Sequence, residues 1–208
     1  TTIQLNSSGG GTYLWSGPLA FSDPTQNPTI APATAAMSGD YTVTVTSAAG
    51  CSSASTTTVL VTIPTATASN TGPFCVGGTI QLNSTGGGTY AWSGPLSYSN
   101  STQNPTIASA TTAMAGDYTV TVTSGSGCTS TSATTVIVNT LPTPTSSNTS
   151  PYCVGETIQL NSNGGGTYSW SGPLAYSNGT QNPTIASSTV AMSGDYTVTV
   201  TNAAGCSS

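Results

Sequence analysis

The feature that most constrains this chain is a sentence written three times. It reads GGGTYLWSGPLAFSDPTQNPTI from Gly9, GGGTYAWSGPLSYSNSTQNPTI from Gly86 and GGGTYSWSGPLAYSNGTQNPTI from Gly164. Trp15, Trp92 and Trp170 stand 77 and 78 residues apart, and Cys51, Cys128 and Cys206 repeat the same two intervals. A solenoid or propeller blade repeats every ~20–50 residues. A period of 77–78 residues instead suits one small domain per repeat. The expected units are residues 1–63, 64–141 and 142–208, with only the second carrying a whole period. Both ends fall within a repeat, so we expect a window of about 2.7 repeats from a longer array.

Within a repeat the pattern is all-β. TIQLNS (79–84) alternates, a Gly-rich turn follows, and TYAWSG (89–94), NPTIAS (104–109) and DYTVTVTS (117–124) read as further strands. A GSG turn then leads into TSATTVIVN, ending at Asn139. No segment has helical periodicity. Short strands punctuated by Gly, Pro, Asn and Ser predict tandem immunoglobulin-like β-sandwiches, end to end. Such sandwiches bury a Trp on strand C and set a Tyr at the start of strand F. Trp15, Trp92 and Trp170 take the first role and Tyr41, Tyr118 and Tyr196 the second. The alternative for the tryptophans, a sugar-stacking row, is the lesser expectation. The usual inter-sheet cysteine positions hold Leu82 and Val120 instead.

Cys75 to Cys128 and Cys153 to Cys206 are each 53 residues apart, and we expect those two bridges. Each would contribute about 4 kcal/mol by loop entropy. Cys51 is expected to pair upstream of this window. Bridges imply an oxidising compartment and hence export.

Composition excludes much chemistry. The chain has five acidic residues and no Lys, Arg or His, for a net charge of −5. Nucleic-acid binding needs cations on the phosphates, so no nucleic-acid partner is expected. Without His or Lys, none of the many Ser hydroxyls has an activating base, so no enzyme and no cofactor are expected. Asp40, Asp117 and Asp195 recur once per repeat, but one carboxylate is few for Ca²⁺, which takes 6–8 oxygens. No metal is expected. No apolar run reaches the ~20 residues of a membrane span. Ser and Thr exceed a third of the chain and supply the polar surface in place of charge.

At CVGGTIQLNS…YAWSGPLSYSNSTQNPTIASATTAMAGDYTVTVTSGSGC (75–128) the chain resembles the tandem Ig-like repeats of giant secreted surface proteins and adhesins of Bacteroidetes-type bacteria. Their pattern runs C-x-G-x-T-I-x-L, Y-x-W-x-G-P, Q-N-P-x-I, G-x-Y-x-V-x-V-T and a closing G-C, and all three copies carry it, the first from T-I-x-L onward. The resemblance implies an extracellular or cell-surface location and a stalk or adhesin role, in which such repeats often space out a terminal binding module.

Asn6, Asn83, Asn100, Asn148 and Asn178 each begin an N-x-S/T acceptor. TATASNTG and TPTSSNTS look like sugar-bearing linkers. Phe21, Tyr98 and Tyr176 are candidate exposed aromatics for a ligand. Strand edges here lack the Lys that normally blocks edge-to-edge pairing, so glycans or neighbouring subunits must cover them. The expected function is a structural repeat of an extracellular filament or stalk, glycosylated and partnered by other copies of itself. The alternative is a glycan-binding adhesin repeat.

Overall fold

The computed structural model describes residues 1–208. All regular structure is strand, apart from six single turns of 3-10 helix. The middle repeat shows the whole sandwich. One sheet joins Tyr98–Asn100, Thr89–Gly94, Gly116–Thr123 and Thr129–Val136 in that order, all antiparallel. The facing sheet joins Thr106–Ile107, Ile80–Thr85 and Thr67–Asn70. A short parallel pair, Phe74–Cys75 with Val138–Asn139, closes the edge between them. The first and third repeats lay out the same Trp-bearing sheet from Thr12–Gly17 and Thr167–Gly172.

The alternation seen in the sequence becomes the core. Ile80 and Leu82 from one sheet meet Trp92, Tyr118, Val120 and Val122 from the other, all buried. Residues of period two share a face, so one register buries every apolar position of a strand together. Trp15, Trp92 and Trp170 are 1 %, 2 % and 1 % exposed, and Tyr41 and Tyr118 are buried as deeply. Tyr196 is partly buried against the third core. Leu82 and Val120, at the usual bridge positions, are fully buried.

The recurring words of the sequence are packing instructions. A Cβ on Gly94 would come within 2.5 Å of the Tyr118 ring, so W-S-G must end in glycine for the ring to lie across it. Tyr118 Oη donates to the Met114 carbonyl at 2.9 Å, closing the tyrosine corner. The Q-N-P loop clamps the end of Ile80–Thr85. Gln103 Nε2 donates to the Ser84 carbonyl (2.8 Å), Asn104 Oδ1 accepts from the Ser84 amide (2.9 Å), and Trp92 Nε1 donates to the Gln103 carbonyl (3.1 Å). Gln26–Asn27 and Gln181–Asn182 make the equivalent bonds.

Two expectations change here. TATASNTG and TPTSSNTS are not linkers. Thr67–Asn70 pairs with Ile80–Thr85, and Ser146–Asn148 pairs with Ile158–Ser162. Asn70 Nδ2 also reaches across to Thr134 Oγ1 and the Thr135 carbonyl, at 2.8 and 2.9 Å, tying this strand to the opposite sheet. The second change is NPTIAS, of which only Thr106–Ile107 is strand, because Gln103 and Asn104 are occupied by the clamp.

Candidate functional site at the repeat joint

Two turns meet where one repeat adjoins the next. The closing turn, between the last two strands, is built alike three times. Ser47, Ser124 and Asn202 each donate a backbone amide to the carbonyl of the cysteine four residues on, at 2.8, 2.8 and 2.9 Å. Their side-chain oxygens accept the same cysteine's amide, at 3.3, 3.1 and 3.0 Å. The glycine before each cysteine has φ of 82°, 79° and 81°, a region costly for other residues. The cysteine is therefore held at the tip in a fixed pose. The opening turn follows Cys75: Val76 donates to Asn139, Gly77 to Ala110 and Gly78 back to Cys75, at 2.9, 2.8 and 3.0 Å.

The opening turn of the middle repeat sits on the closing turn of the third. Cys75 is bonded to Cys206 with their Cα atoms 5.6 Å apart. Beside the bridge, Asn202 Nδ2 donates to the Thr140 carbonyl of the connecting segment at 3.0 Å. This corrects the expected pairs Cys75–Cys128 and Cys153–Cys206. Inside one sandwich the two cysteines lie at opposite ends of the eight-residue strand Gly116–Thr123, about 26 Å at ~3.3 Å per residue. A disulfide needs Cα atoms within about 7 Å. The partner therefore comes from the next repeat, and Cys51, Cys128 and Cys153 are free thiols.

The preceding joint brings the corresponding two ends together. Thr1, which stands where Gly78 stands one repeat later, places its Oγ1 3.9 Å from Cys128 Sγ. The Ser126 hydroxyl, and after it that of Thr1, lowers the Cys128 pKa below the usual thiol value. Cys51 and Cys153 are exposed.

The other nominated residues fall elsewhere. Phe21, Tyr98 and Tyr176 are not exposed platforms: each packs edge to face on Tyr41, Tyr118 or Tyr196, with centroids 5.5, 5.4 and 5.5 Å apart. They follow a tight Gly-Pro-Leu turn that folds the ring back over the corner tyrosine. The Tyr98 and Tyr176 hydroxyls are buried without a partner. The residues that do protrude there are Leu19, Leu96 and Leu174, with φ of 55°, 55° and 56° and 68 %, 67 % and 68 % exposed.

Asn100 and Asn178 accept both the amide and the hydroxyl of their own acceptor Thr, all at 2.8 Å. Asn148 accepts the Ser150 amide at 2.8 Å, and Asn83 accepts from Gln81 at 3.4 Å. In all four the bonded atom is Oδ1, which leaves the Nδ2 that a glycan would occupy. Asn6 is exposed. Asp40 and Asp117 accept from Thr58 and Thr135 on the neighbouring strand, both at 2.6 Å. No three His, Cys, Asp or Glu side chains are grouped as a metal site. No helix is long and apolar enough to cross a membrane.

A hollow of ≈ 800 Å³ lies in the first repeat between Asn6–Gly10, Trp15 and Ser52–Thr57. A second of ≈ 320 Å³ lies by Tyr152, Leu160 and Tyr196. In the middle repeat the corresponding surfaces are covered by its own strands, Thr67–Asn70 on Thr134–Thr135, with Val136 and Val138 in the core.

No protein-family model matches the chain, and no curated protein matches it. Among solved structures, it is similar to the three N-terminal domains of the bacteriophage RB49 Highly Immunogenic Outer Capsid protein (Hoc), at 18% identity and TM-score 0.46, over 99% of this chain and 80% of that one. It is also similar to the amphioxus IgVJ-C2 molecule (17%, TM-score 0.33, 66% of this chain and 95% of that one). Murine CEACAM1b matches at 13% identity and TM-score 0.38, over 67% of this chain and 93% of that one. The paired sheets, the buried Trp and the tyrosine corner described above are themselves those of tandem Ig-like sandwiches.

Proposed function

We propose that this chain is a non-enzymatic structural repeat of an extracellular filament or cell-surface stalk, with domains 1–63, 64–141 and 142–208 strung end to end and glycans on its Asn acceptors. One observation carries the proposal: the disulfide lies between repeats, from Cys75 to Cys206. A bridge inside a domain stabilises that domain. A bridge across a joint fixes the angle between two domains, which is what a rod requires and a flexible tether does not. Bonds of this kind belong to oxidising, exported surroundings. A surface with a net charge of only −5 and no cations lets rods lie side by side with little repulsion.

The adhesin alternative loses its support, since the aromatics that would stack on sugars are packed against the corner tyrosines. Electron microscopy of the native protein tests the proposal. Straight beaded rods with density projecting at Asn6, Asn83, Asn100, Asn148 or Asn178 are expected. Limp strings with freely varying joint angles would refute a structural rod, and a mass unchanged by deglycosylation would remove the glycans.

A further inference from the structure

We propose that the Cys75–Cys206 bridge is one instance of a staple present at every joint of the array. In it the opening cysteine of each repeat is bonded to the closing cysteine of the repeat that follows. Cys128 and Cys153 are then halves of the same staple at the adjoining joints, each partnered by a cysteine of another copy of this repeat. This deepens the structural reading above and rests on it.

Two observations carry the assignment. The first is the build of the half-sites. The closing turn that presents Cys128 has the backbone bond and glycine conformation of the one that presents the bonded Cys206: 2.8 against 2.9 Å, and φ of 79° against 81°. The opening turn at Cys153 matches that at Cys75, with Gly155 donating to Ser188 and Gly77 to Ala110, both at 2.8 Å.

The second is occupancy at the preceding joint. Thr1 rests on Cys128 at 3.9 Å, and its counterpart Gly78 donates its amide to the carbonyl of Cys75, the bonded cysteine itself, at 3.0 Å. The first repeat thus rests on Cys128 with the end that, one repeat later, carries the bonded cysteine. A partner within the same repeat is ruled out by the length of the sandwich that separates its two ends.

The chemistry is thiol–disulfide exchange with a low-molecular-weight disulfide as the oxidant. The Cys128 thiolate attacks one sulfur of that disulfide and expels the other as a thiol, leaving a mixed disulfide. The opening cysteine then attacks Cys128 Sγ and expels the second small thiol. One S–S bond and two S–H bonds are consumed, and one S–S bond and two S–H bonds are formed. The two electrons lost by the protein end on the small-molecule thiols. The lowered pKa of Cys128 favours it as the attacking group.

The test is disulfide mapping of the protein purified from its own source. Free thiols are blocked with N-ethylmaleimide under denaturing conditions. The protein is then cut without reduction, using chymotrypsin because there are no trypsin sites, and the peptides are identified by mass spectrometry. The expected result is a Cys75–Cys206 pair, with Cys128 and Cys153 each cross-linked to a peptide of an adjoining repeat and bearing little or no maleimide. Maleimide on most Cys128 and Cys153 would overturn the staple, as would Cys75–Cys128 or Cys153–Cys206 peptides. Mapping and microscopy separate the two proposals. Cross-links found in limp strings would sink the rod and keep the staple, and rods without the cross-links would do the reverse.

Discussion

Tyr98 and Tyr118 lie edge to face with centroids 5.4 Å apart, yet their hydroxyls have opposite roles. That of Tyr118 closes the corner on Met114, while that of Tyr98 is buried with nothing to bond. Removing a paired hydroxyl leaves its partner unsatisfied, whereas removing an orphan relieves a desolvated group. Tyr118→Phe is therefore expected to destabilise the middle repeat by about 1–2 kcal/mol, and Tyr98→Phe to leave it unchanged or raise it by up to ~1 kcal/mol. Guanidinium unfolding of the two variants reads the contrast, and the first repeat already uses Phe21 at that place. Leu96 offers a second residue-scale test. Its left-handed backbone, φ 55°, is disfavoured for leucine and tolerated by Asn. Leu96→Asn should raise the midpoint by the equivalent of ~0.5–1 kcal/mol. An unchanged midpoint would mean that the turn is held by Pro95 and its neighbours at no cost to Leu96.

Among the elements, those whose side chains alternate were legible in the sequence. Thr89–Gly94 falls where TYAWSG put it, and Gly116–Thr123 and Ile80–Thr85 are displaced by one residue, because Trp92, Val120 and Leu82 can be buried together in only one register. Thr67–Asn70 was not legible. It buries only Ala68 and Asn70 in part, and its stability comes from backbone pairing and the reach of Asn70, which composition does not reveal. The Q-N-P motif was visible as a repeated word but not as a clamp, since its bonds run to a strand about 20 residues earlier. Gln103→Ala would leave the carbonyl of the buried Ser84 without its side-chain donor. A loss of about 1–3 kcal/mol is expected, with faster hydrogen exchange along Asn83–Thr85. Unchanged exchange would show that water replaces the amide.

For the whole molecule the sequence showed equal cysteine spacings, which cannot distinguish a bridge within a repeat from one to the next. Only the placement of the two turns at opposite ends of a sandwich decides it. The absence of Lys and Arg also simplifies the alkaline limb of stability. Burial raises the pKa of Tyr41, Tyr98, Tyr118 and Tyr176, with the neighbouring Tyr98 and Tyr196 adding to the rise at Tyr118 and Tyr176. Tyr152 moves down, drawn by the Thr149 hydroxyl. A raised folded pKa means that the native state holds protons which the unfolded chain has released. The stability those groups contribute is complete below the ordinary tyrosine pKa of about 10 and is lost as pH rises through the folded values. The melting temperature of the disulfide-bonded chain should stay level from neutral pH to about 9 and fall beyond about 10, in step with phenolate absorbance. A fall that begins well below that range would show that the buried tyrosines do not govern it.

Under tension the Cys75–Cys206 bridge becomes a shunt. A pull along the chain passes from residue 75 to residue 206 through a single S–S bond, and the sequence between them, a separation of 131 residues, carries no load. Fully drawn out, that stretch would otherwise yield about 450 Å of slack at ~3.4 Å per residue. Between those two cysteines the chain does not lengthen by unravelling its domains. It holds its length until a covalent bond fails.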